Sequence, residues 1–197
     1  MSKVGFFDQL INAGQKDEAI KTVEEIKSQA APPFDQVVPL LYLTIYITLE
    51  DVDKAANALR EVESAPYGII FEQNRANILY FKGRVHEMSG EYEQAIAAFK
   101  ESLKIRPIDS NTIISLGRTY RKLKNFNKAE EYLRKELKSR PFDPELHYEL
   151  SLLYIDTNDR NKALEHLNIA LEVWKNADPG VPKVEDARRL LAGLKVQ

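Results

Sequence analysis

The chain has 197 residues, about the size of one domain, and its 28 Lys and Arg nearly balance 30 Asp and Glu. This near neutrality argues against general binding to nucleic acid or to an anionic membrane surface. Because the chain has no cysteine, disulfides, thiolate metal sites and cysteine nucleophiles are excluded.

The amino-terminal segment predicts a pair of short helices over residues 1–31. Gly14 separates two groups of apolar residues, each with helical spacing. The apolar run that begins at Val4 stops at Asp8, so it does not form a signal peptide, and we expect a cytoplasmic protein. The first group is Phe6, Phe7 and Leu10, and the second is Ala19, Val23 and Ile26.

A second helix pair is predicted over residues 36–69. Its first helix lies in the most apolar run of the chain, the thirteen residues from Val37 to Leu49. A membrane-spanning helix needs roughly 20 apolar residues. We therefore expect no membrane insertion.

The spacing after this pair is irregular. Ala55, Ala95 and Ala129 occupy equivalent positions, and the step from Ala55 to Ala95 is longer than the step from Ala95 to Ala129. The extra residues belong near Ser64–Ile70, where Pro66 and Gly68 indicate either a loop or an early start of the next helix. This step is predicted to be the least regular part of the repeat array.

Residues 76–175 repeat with a period of 34. A fixed repeat of this length is typical of a solenoid, in which each unit buries its apolar face on its neighbours. Each unit predicts two antiparallel helices, because small glycine and alanine residues let helices approach closely and a proline ends the second helix. Gly83, Ala95, Phe99 and Pro107 return as Gly117, Ala129, Leu133 and Pro141, and more loosely as Ser151, Ala163, Leu167 and Lys175.

Two of these units match one another most closely. The residues that carry a family pattern are Leu79, Gly83, Gly90, Tyr92, Ala95, Phe99 and Pro107 in the first of these units, and Leu116, Gly117, Tyr120, Phe126, Ala129 and Pro141 in the second. These units resemble the tetratricopeptide repeat (TPR) family. The resemblance implies an all-α fold, a right-handed α-α superhelix (TPR solenoid) of about five helix-turn-helix repeats plus a C-terminal capping helix, in a single domain over residues 1–197. The later repeats are predicted at 76–109, 110–143 and 144–177, and the capping helix at 182–195, with Val184, Ala187, Leu191 and Leu194 on one face.

In TPR proteins the first helix of each repeat lines a concave groove that binds a polypeptide. The resemblance therefore implies a non-enzymatic interaction module or scaffold with a protein or peptide ligand. Arg84 and Arg118 fall at equivalent positions, and an arginine fork suits carboxylates. Residues 73–141 carry 15 Lys and Arg against 8 Asp and Glu, which favours an acidic ligand. The expected groove residues are Asn77, Tyr80, Arg84, Asn111, Ile114, Arg118, Arg121, Lys122, Tyr148 and Leu152.

Alternatives to an acidic ligand stay open. The arginines are also explained as ordinary solvated residues on helical faces. A different alternative is a structural scaffold that associates with itself, through the apolar helix at 37–49 or the amino-terminal end, as a homo-oligomer. The family includes a clamp for the acidic tails of chaperones, but Glu145 and Glu149 stand where that clamp needs basic residues, so we do not expect a chaperone co-factor.

The sequence contains no recognisable catalytic or metal-binding arrangement. His86, His147 and His166 are not spaced as metal ligands on one helix, and each is expected to be structural or exposed. Neither a Gly-rich phosphate loop nor a nucleophile elbow is present. We therefore expect no enzyme, no cofactor and no nucleic-acid partner.

Overall fold

The computed structural model describes residues 16–31, 37–64, 68–177 and 181–196, which form α-helices joined by short turns, with no β-strand among them. The chain divides into two compact units, Met1–Ile105 and Arg106–Gln197. The helices of the first unit are α1 Lys16–Gln29, α2 Val38–Thr48, α3 Val52–Ser64, α4 Gly68–Met88 and α5 Tyr92–Ile105. Those of the second unit are α6 Ser110–Lys122, α7 Phe126–Ser139, α8 Pro144–Asp156 and α9 Arg160–Val173, followed by a short 3-10 helix, Trp174–Asn176, and α10 Pro182–Val196.

The prediction of an all-α fold built from helix pairs is confirmed. In the first unit α2 packs on α3 and α4 packs on α5, and in the second α6 packs on α7 and α8 packs on α9. The single domain and the repeat boundaries given above stay predictions. The predicted helix that carries Phe6, Phe7 and Leu10 lies outside the described residues.

Helix α4 is longer than its partner. It begins at Gly68 and has 21 residues, whereas α5 has 14. The extra residues noted near Ser64–Ile70 therefore extend the start of α4. Of the loop and the early helix start considered for this step, the structure has the early helix start.

Side-chain caps fix where four helices of the second unit begin. Asp109 and Asp143 accept a hydrogen bond from the backbone N–H three residues on, at the starts of α6 and α8. Asn125 and Asp159 do the same for α7 and α9. Each cap satisfies one backbone donor that the first helical turn leaves without a partner. The caps recur at the repeat spacing, so the sequence sets the register of both helix pairs locally.

The turns inside the helix pairs share an unusual backbone conformation. Glu50, Gly90, Lys124 and Asn158 all have positive φ, of 55°, 77°, 59° and 59°. This left-handed conformation ends a helix readily when the residue is glycine, and it is less favourable for a residue with a Cβ atom. Gly90 therefore occupies the turn without strain, whereas Lys124 adopts it at a cost in stability.

Two glycines allow the close helix packing predicted from the sequence. A Cβ atom added at Gly83 would lie 2.5 Å from the ring of Phe99, and one added at Gly117 would lie 2.6 Å from Cγ of Leu133. Phe99 and Leu133 are both fully buried. These distances are far below normal carbon contacts, so glycine is needed for α4 to meet α5 and for α6 to meet α7 as closely as they do.

Helix α10 covers one end of the second unit. Its Ala187 is fully buried and packs in a cluster with Tyr148 of α8 and with Leu167 and Ala170 of α9. Leu191 and Leu194 pack against the same cluster, and Val184 is also buried. The apolar face predicted for the capping helix thus lies against its neighbours.

Candidate functional site

Arginines of α6 face carboxylates of α8 in the second unit. Arg118 and Arg121 are three residues apart and so share one face of α6. Arg121 Nη1 lies 2.8 Å from Asp156 Oδ2, and Arg118 Nη1 lies 3.4 Å from Glu149 Oε1. Arg121 Nη2 also lies 3.9 Å from Glu149 Oε2. Two of the three arginines predicted to meet a ligand are therefore already paired with acidic residues of the same chain.

Burial separates these ion pairs into two kinds. The side chain of Glu149 is 2% exposed, and that of Asp156 is 38% exposed. Breaking a buried pair leaves an uncompensated charge and costs several kcal/mol, whereas an exposed pair contributes about 1 kcal/mol or less. The Arg118–Glu149 contact is therefore part of the packed structure. The two arginines are similarly buried, at 13% and 15% exposed, so the Arg121–Asp156 contact differs in having an accessible carboxylate.

A further ion pair joins this face to the capping helix. Lys183 of α10 lies 2.5 Å from Glu145 Oε1, and Arg118 Nη1 is 3.9 Å from the same oxygen. The acidic residues that distinguish this chain from the chaperone-binding clamp are thus neutralised within the second unit.

Two of the expected groove residues are buried. Ile114 is 4% exposed and Tyr148 is 7% exposed. The Tyr148 hydroxyl donates a hydrogen bond of 2.6 Å to Asp186 of α10, and its ring lies against Trp174, with ring centroids 5.9 Å apart. Burial, together with this hydrogen bond, raises the pKa of the Tyr148 phenol above its usual value. Both side chains therefore contribute to the interior.

The remaining expected residues of the second unit lie nearer the surface. Asn111 and Lys122 are exposed, and Leu152 is half-buried. Among the expected residues of the second unit, the structure thus brings together Arg118 and Arg121 through their shared carboxylate, Glu149.

The expected residues of the first unit form a local cluster on α4. Arg84 Nη1 donates a hydrogen bond of 3.3 Å to the hydroxyl of Tyr80, and Arg84 Nε lies 3.2 Å from Glu87 Oε2. The Arg84 side chain is 18% exposed and that of Glu87 is 1% exposed. Asn77 is half-buried on the same helix. Arg84 therefore shares a feature with Arg118, because each pairs with a buried glutamate.

The structure also brings together two histidines whose spacing in the sequence does not suggest a pair. His147 Nδ1 lies 2.8 Å from His166 Nδ1, and His147 Nε2 donates to the carbonyl of Pro141 at 2.9 Å. Burial and the neighbouring His147 lower the pKa of His166 from 6.5 to about 4. His166 also stacks on Tyr154, with ring planes 14° apart. The sequence signal for this stack is the repeat itself. His166 and Tyr154 lie 34 residues after Tyr132 and Tyr120, whose rings also stack.

No group of three or more acidic or histidine side chains in residues 16–31, 37–64, 68–177 and 181–196 is arranged to hold a metal ion. In the same part of the chain, no helix is both long enough and apolar enough to cross a membrane.

Successive helix pairs packed within each unit define a helical-repeat protein. Two family models described as tetratricopeptide repeat match the chain, one at residues 44–109 and the other at 88–148. Together they cover more than half of the 197 residues, and the chain belongs to the TPR family.

Solved structures show the same fold. A thermophilic TPR protein of Thermus thermophilus, TTC0263, has a TM-score of 0.74 at 19% identity, with 98% of this chain and 97% of that chain covered. PilW, a widely conserved type IV pilus biogenesis factor, has a TM-score of 0.65 at 16% identity, with 100% and 92% covered. A chain of the APC/C hetero-tetramer Cut9-Hcn1 has a TM-score of 0.72 at 19% identity, and 94% of this chain covers only 35% of that one.

No curated protein sequence matches this chain. The structural similarities confirm the predicted all-α TPR solenoid. At these identities they show the fold alone.

Proposed function

We propose that this chain is a non-enzymatic scaffold that binds a segment of another protein across the first helices of its repeats. The TPR fold supports a role in protein–protein interaction in general. In the second unit, the proposed contact face consists of Arg118, Arg121 and Lys122 of α6 with Leu152 and Asp156 of α8. A cytoplasmic location belongs to the same proposal, since a chain without cysteine suits a reducing compartment.

The observation that carries this proposal is the ion pair between Arg121 and Asp156, at 2.8 Å, in which the aspartate side chain is 38% exposed and the arginine side chain 15%. A carboxylate of a ligand can replace Asp156 on the Arg121 guanidinium, because the displaced aspartate is at the surface and returns to water. Lys122 adds a positive charge next to Arg121. An acidic peptide segment is therefore the ligand that this face fits best.

Arg118 supports this face without exchanging its partner. Its guanidinium also donates a hydrogen bond of 3.2 Å to Ser115 Oγ, which holds it on α6. Because Glu149 is buried, removing Arg118 would leave a buried carboxylate with a weaker partner and would disturb the fold. Arg121 is therefore the better residue to test, since Glu149 keeps its contact with Arg118 when Arg121 is replaced.

In the first unit, Arg84 and Tyr80 offer a second place for the same kind of contact. The partly exposed Arg84 guanidinium is held by both Tyr80 and Glu87. This cluster is an additional contact for an acidic segment, independent of the face on α6 and α8.

The test is a titration of fluorescent peptides with the purified protein, followed by fluorescence anisotropy. A flexible peptide rich in Asp and Glu is compared with the same peptide carrying Asn and Gln. We expect Arg121→Ala to weaken binding of the acidic peptide by about tenfold, the effect of one hydrogen bond to a charged group. Arg188→Ala is the matched control, because Arg188 is an exposed arginine of α10 whose partner is Glu185. Equal affinity of wild type and Arg121→Ala for the acidic peptide would end this proposal.

The alternative function is a scaffold that associates with itself. The apolar helix considered for this role is α2, and its Leu43, Ile45 and Ile47 are buried inside the first unit. This helix is therefore occupied by contacts within the chain. Light scattering at several protein concentrations separates the two functions, since a mass that stays that of one chain contradicts self-association.

A further inference from the structure

Two apolar side chains in the second unit are far more exposed than others of their kind. Ile108 is 90% exposed and Phe142 is 78% exposed. They lie in the turns that lead into α6 and α8, at equivalent positions of successive repeats. The face of α6 and α8 proposed above does not include either residue, so their exposure needs a separate explanation.

Each of the two side chains is held at the tip of a rigid turn. The backbone N–H of Asp109 donates to the carbonyl of Arg106 at 3.3 Å, and that of Asp143 donates to Arg140 at 3.1 Å. Both turns have proline directly before the apolar residue, which fixes the backbone at that position. An anchor that is rigid before binding loses little conformational entropy when it binds.

Both aspartates in these turns face their own helices. The Asp143 carboxylate caps α8 and is 8% exposed, and the Asp109 carboxylate caps α6 and is 21% exposed. The Arg106 and Arg140 side chains are 44% and 45% exposed, and each pairs with the aspartate of its own turn. Arg140 Nη2 lies 2.5 Å from Asp143 Oδ2, and Arg106 Nη2 lies 3.9 Å from Asp109 Oδ1. In each pair the arginine is the more exposed member.

The end of α7 supplies positive charge beside these turns. Lys135 and Lys138 are exposed, whereas Glu136 is 9% exposed and accepts a hydrogen bond from Ser110. The Glu136 carboxylate is thus buried and hydrogen-bonded within the unit. What remains accessible beside Phe142 is apolar surface with basic side chains around it.

The spacing of the two anchors suits a helix as the partner. α6 packs against α8, and packed helices lie roughly 8–10 Å apart. Since each turn reverses the chain, α6 and α8 run in the same direction and the two turns lie at the same end. Positions i and i+7 of a partner helix are about 10.5 Å apart, so one helix can contact both tips with a single face.

We propose that Ile108 and Phe142 form an anchor pair that docks an acidic amphipathic helix of another protein. The apolar face of that helix packs on the two tips, and its carboxylates lie near Lys138 and the partly exposed Arg140. This surface is distinct from the proposed face of Arg121 and Asp156, and the two can be tested independently.

The probe is a fluorescent helical peptide with leucine at i, i+3, i+4 and i+7 and glutamate at its other surface positions, followed by fluorescence anisotropy. We expect Ile108→Ser combined with Phe142→Ser to weaken its binding at least about tenfold, as loss of two hot-spot anchors does. The matched control combines Leu123→Ser with Val173→Ser, two partly exposed apolar residues elsewhere in the second unit. This control should leave the affinity unchanged.

A second peptide and two further assays complete the test. The same peptide with lysine for glutamate should bind at least about tenfold more weakly, because it meets like charge. No binding of the acidic peptide, or equal binding by wild type and the Ile108→Ser, Phe142→Ser variant, overturns the proposal. The proposal is also overturned if the acidic peptide does not bind while wild type, but not this variant, associates with phosphatidylserine vesicles or with itself in sedimentation. Circular dichroism of each variant confirms that the fold is retained.

Discussion

Replacing Gly117 by alanine tests how tightly α6 meets α7. In an open helix this change would stabilise the protein by about 1 kcal/mol, because alanine is the better helix former. At Gly117, however, the new Cβ would lie 2.6 Å from Leu133 Cγ and 2.7 Å from Leu133 Cδ2. Leu133 is fully buried, so the side chains packed around it resist its movement.

The two effects can be compared in size. Extra atoms in a packed core cost about 1–3 kcal/mol. In the middle and upper part of that range, the overpacking cost exceeds the gain in helix propensity. Because the contact distances at Gly117 are so short, we expect its overpacking cost to fall in that part of the range. We therefore expect Gly117→Ala to lower the free energy of unfolding by about 1 kcal/mol, the overpacking cost less the gain in helix propensity, as measured by urea denaturation with circular dichroism.

The chain offers a matched control for this change. Gly193 lies in α10, and a Cβ atom there would meet nothing within 4 Å. Gly193→Ala should therefore raise the free energy of unfolding by about 0.5 kcal/mol, the smaller effect reflecting its place near the helix end. If Gly117→Ala is as stable as wild type or more so, close packing at this position is refuted.

Two further predictions concern the turns and the histidine pair. Lys124→Gly should stabilise the protein by about 1 kcal/mol, because glycine adopts the left-handed conformation at this position, with its φ of 59°, without strain. Gly90→Ala should destabilise the protein by a similar amount. Urea denaturation that shows no stability difference for either variant would contradict this. For His166, whose pKa is lowered from 6.5 to about 4, the unfolded chain binds the proton first, so stability should fall as the pH drops from 6.5 toward 4. His166→Tyr should reduce this loss in urea denaturation at several pH values, and a loss of the same size in wild type and variant would show that other groups are responsible.

The fold was predictable because its signals are local. The glycines and alanines that recur at the repeat spacing indicate where two neighbouring helices pack closely. The close contact of Gly117 with Leu133 is one such place. The caps at Asp109 and Asp143 also act within four residues. Each of these features needs only a short stretch of chain to form, so the sequence pattern predicts it.

The pairing of charged side chains was not predictable in the same way. Arg118 and Glu149 are 31 residues apart and lie on different helices, so their contact depends on how α6 and α8 pack. A family groove position indicates which way a residue points, but it does not indicate which carboxylate of the same chain will meet it. The same limit applies to His147 and His166, which are 19 residues apart on facing helices.

The exchange of carboxylates on Arg121 is tested most directly by replacing the one that competes with the ligand. Asp156→Ala removes the exposed partner of Arg121, so an acidic peptide should bind about two- to fivefold more tightly, in keeping with the energy of an exposed ion pair. Measured by fluorescence anisotropy beside Arg121→Ala, the two variants should change the affinity in opposite directions. An affinity that Asp156→Ala leaves unchanged or weakens would contradict the claim that ligand carboxylates take the place of Asp156 on Arg121.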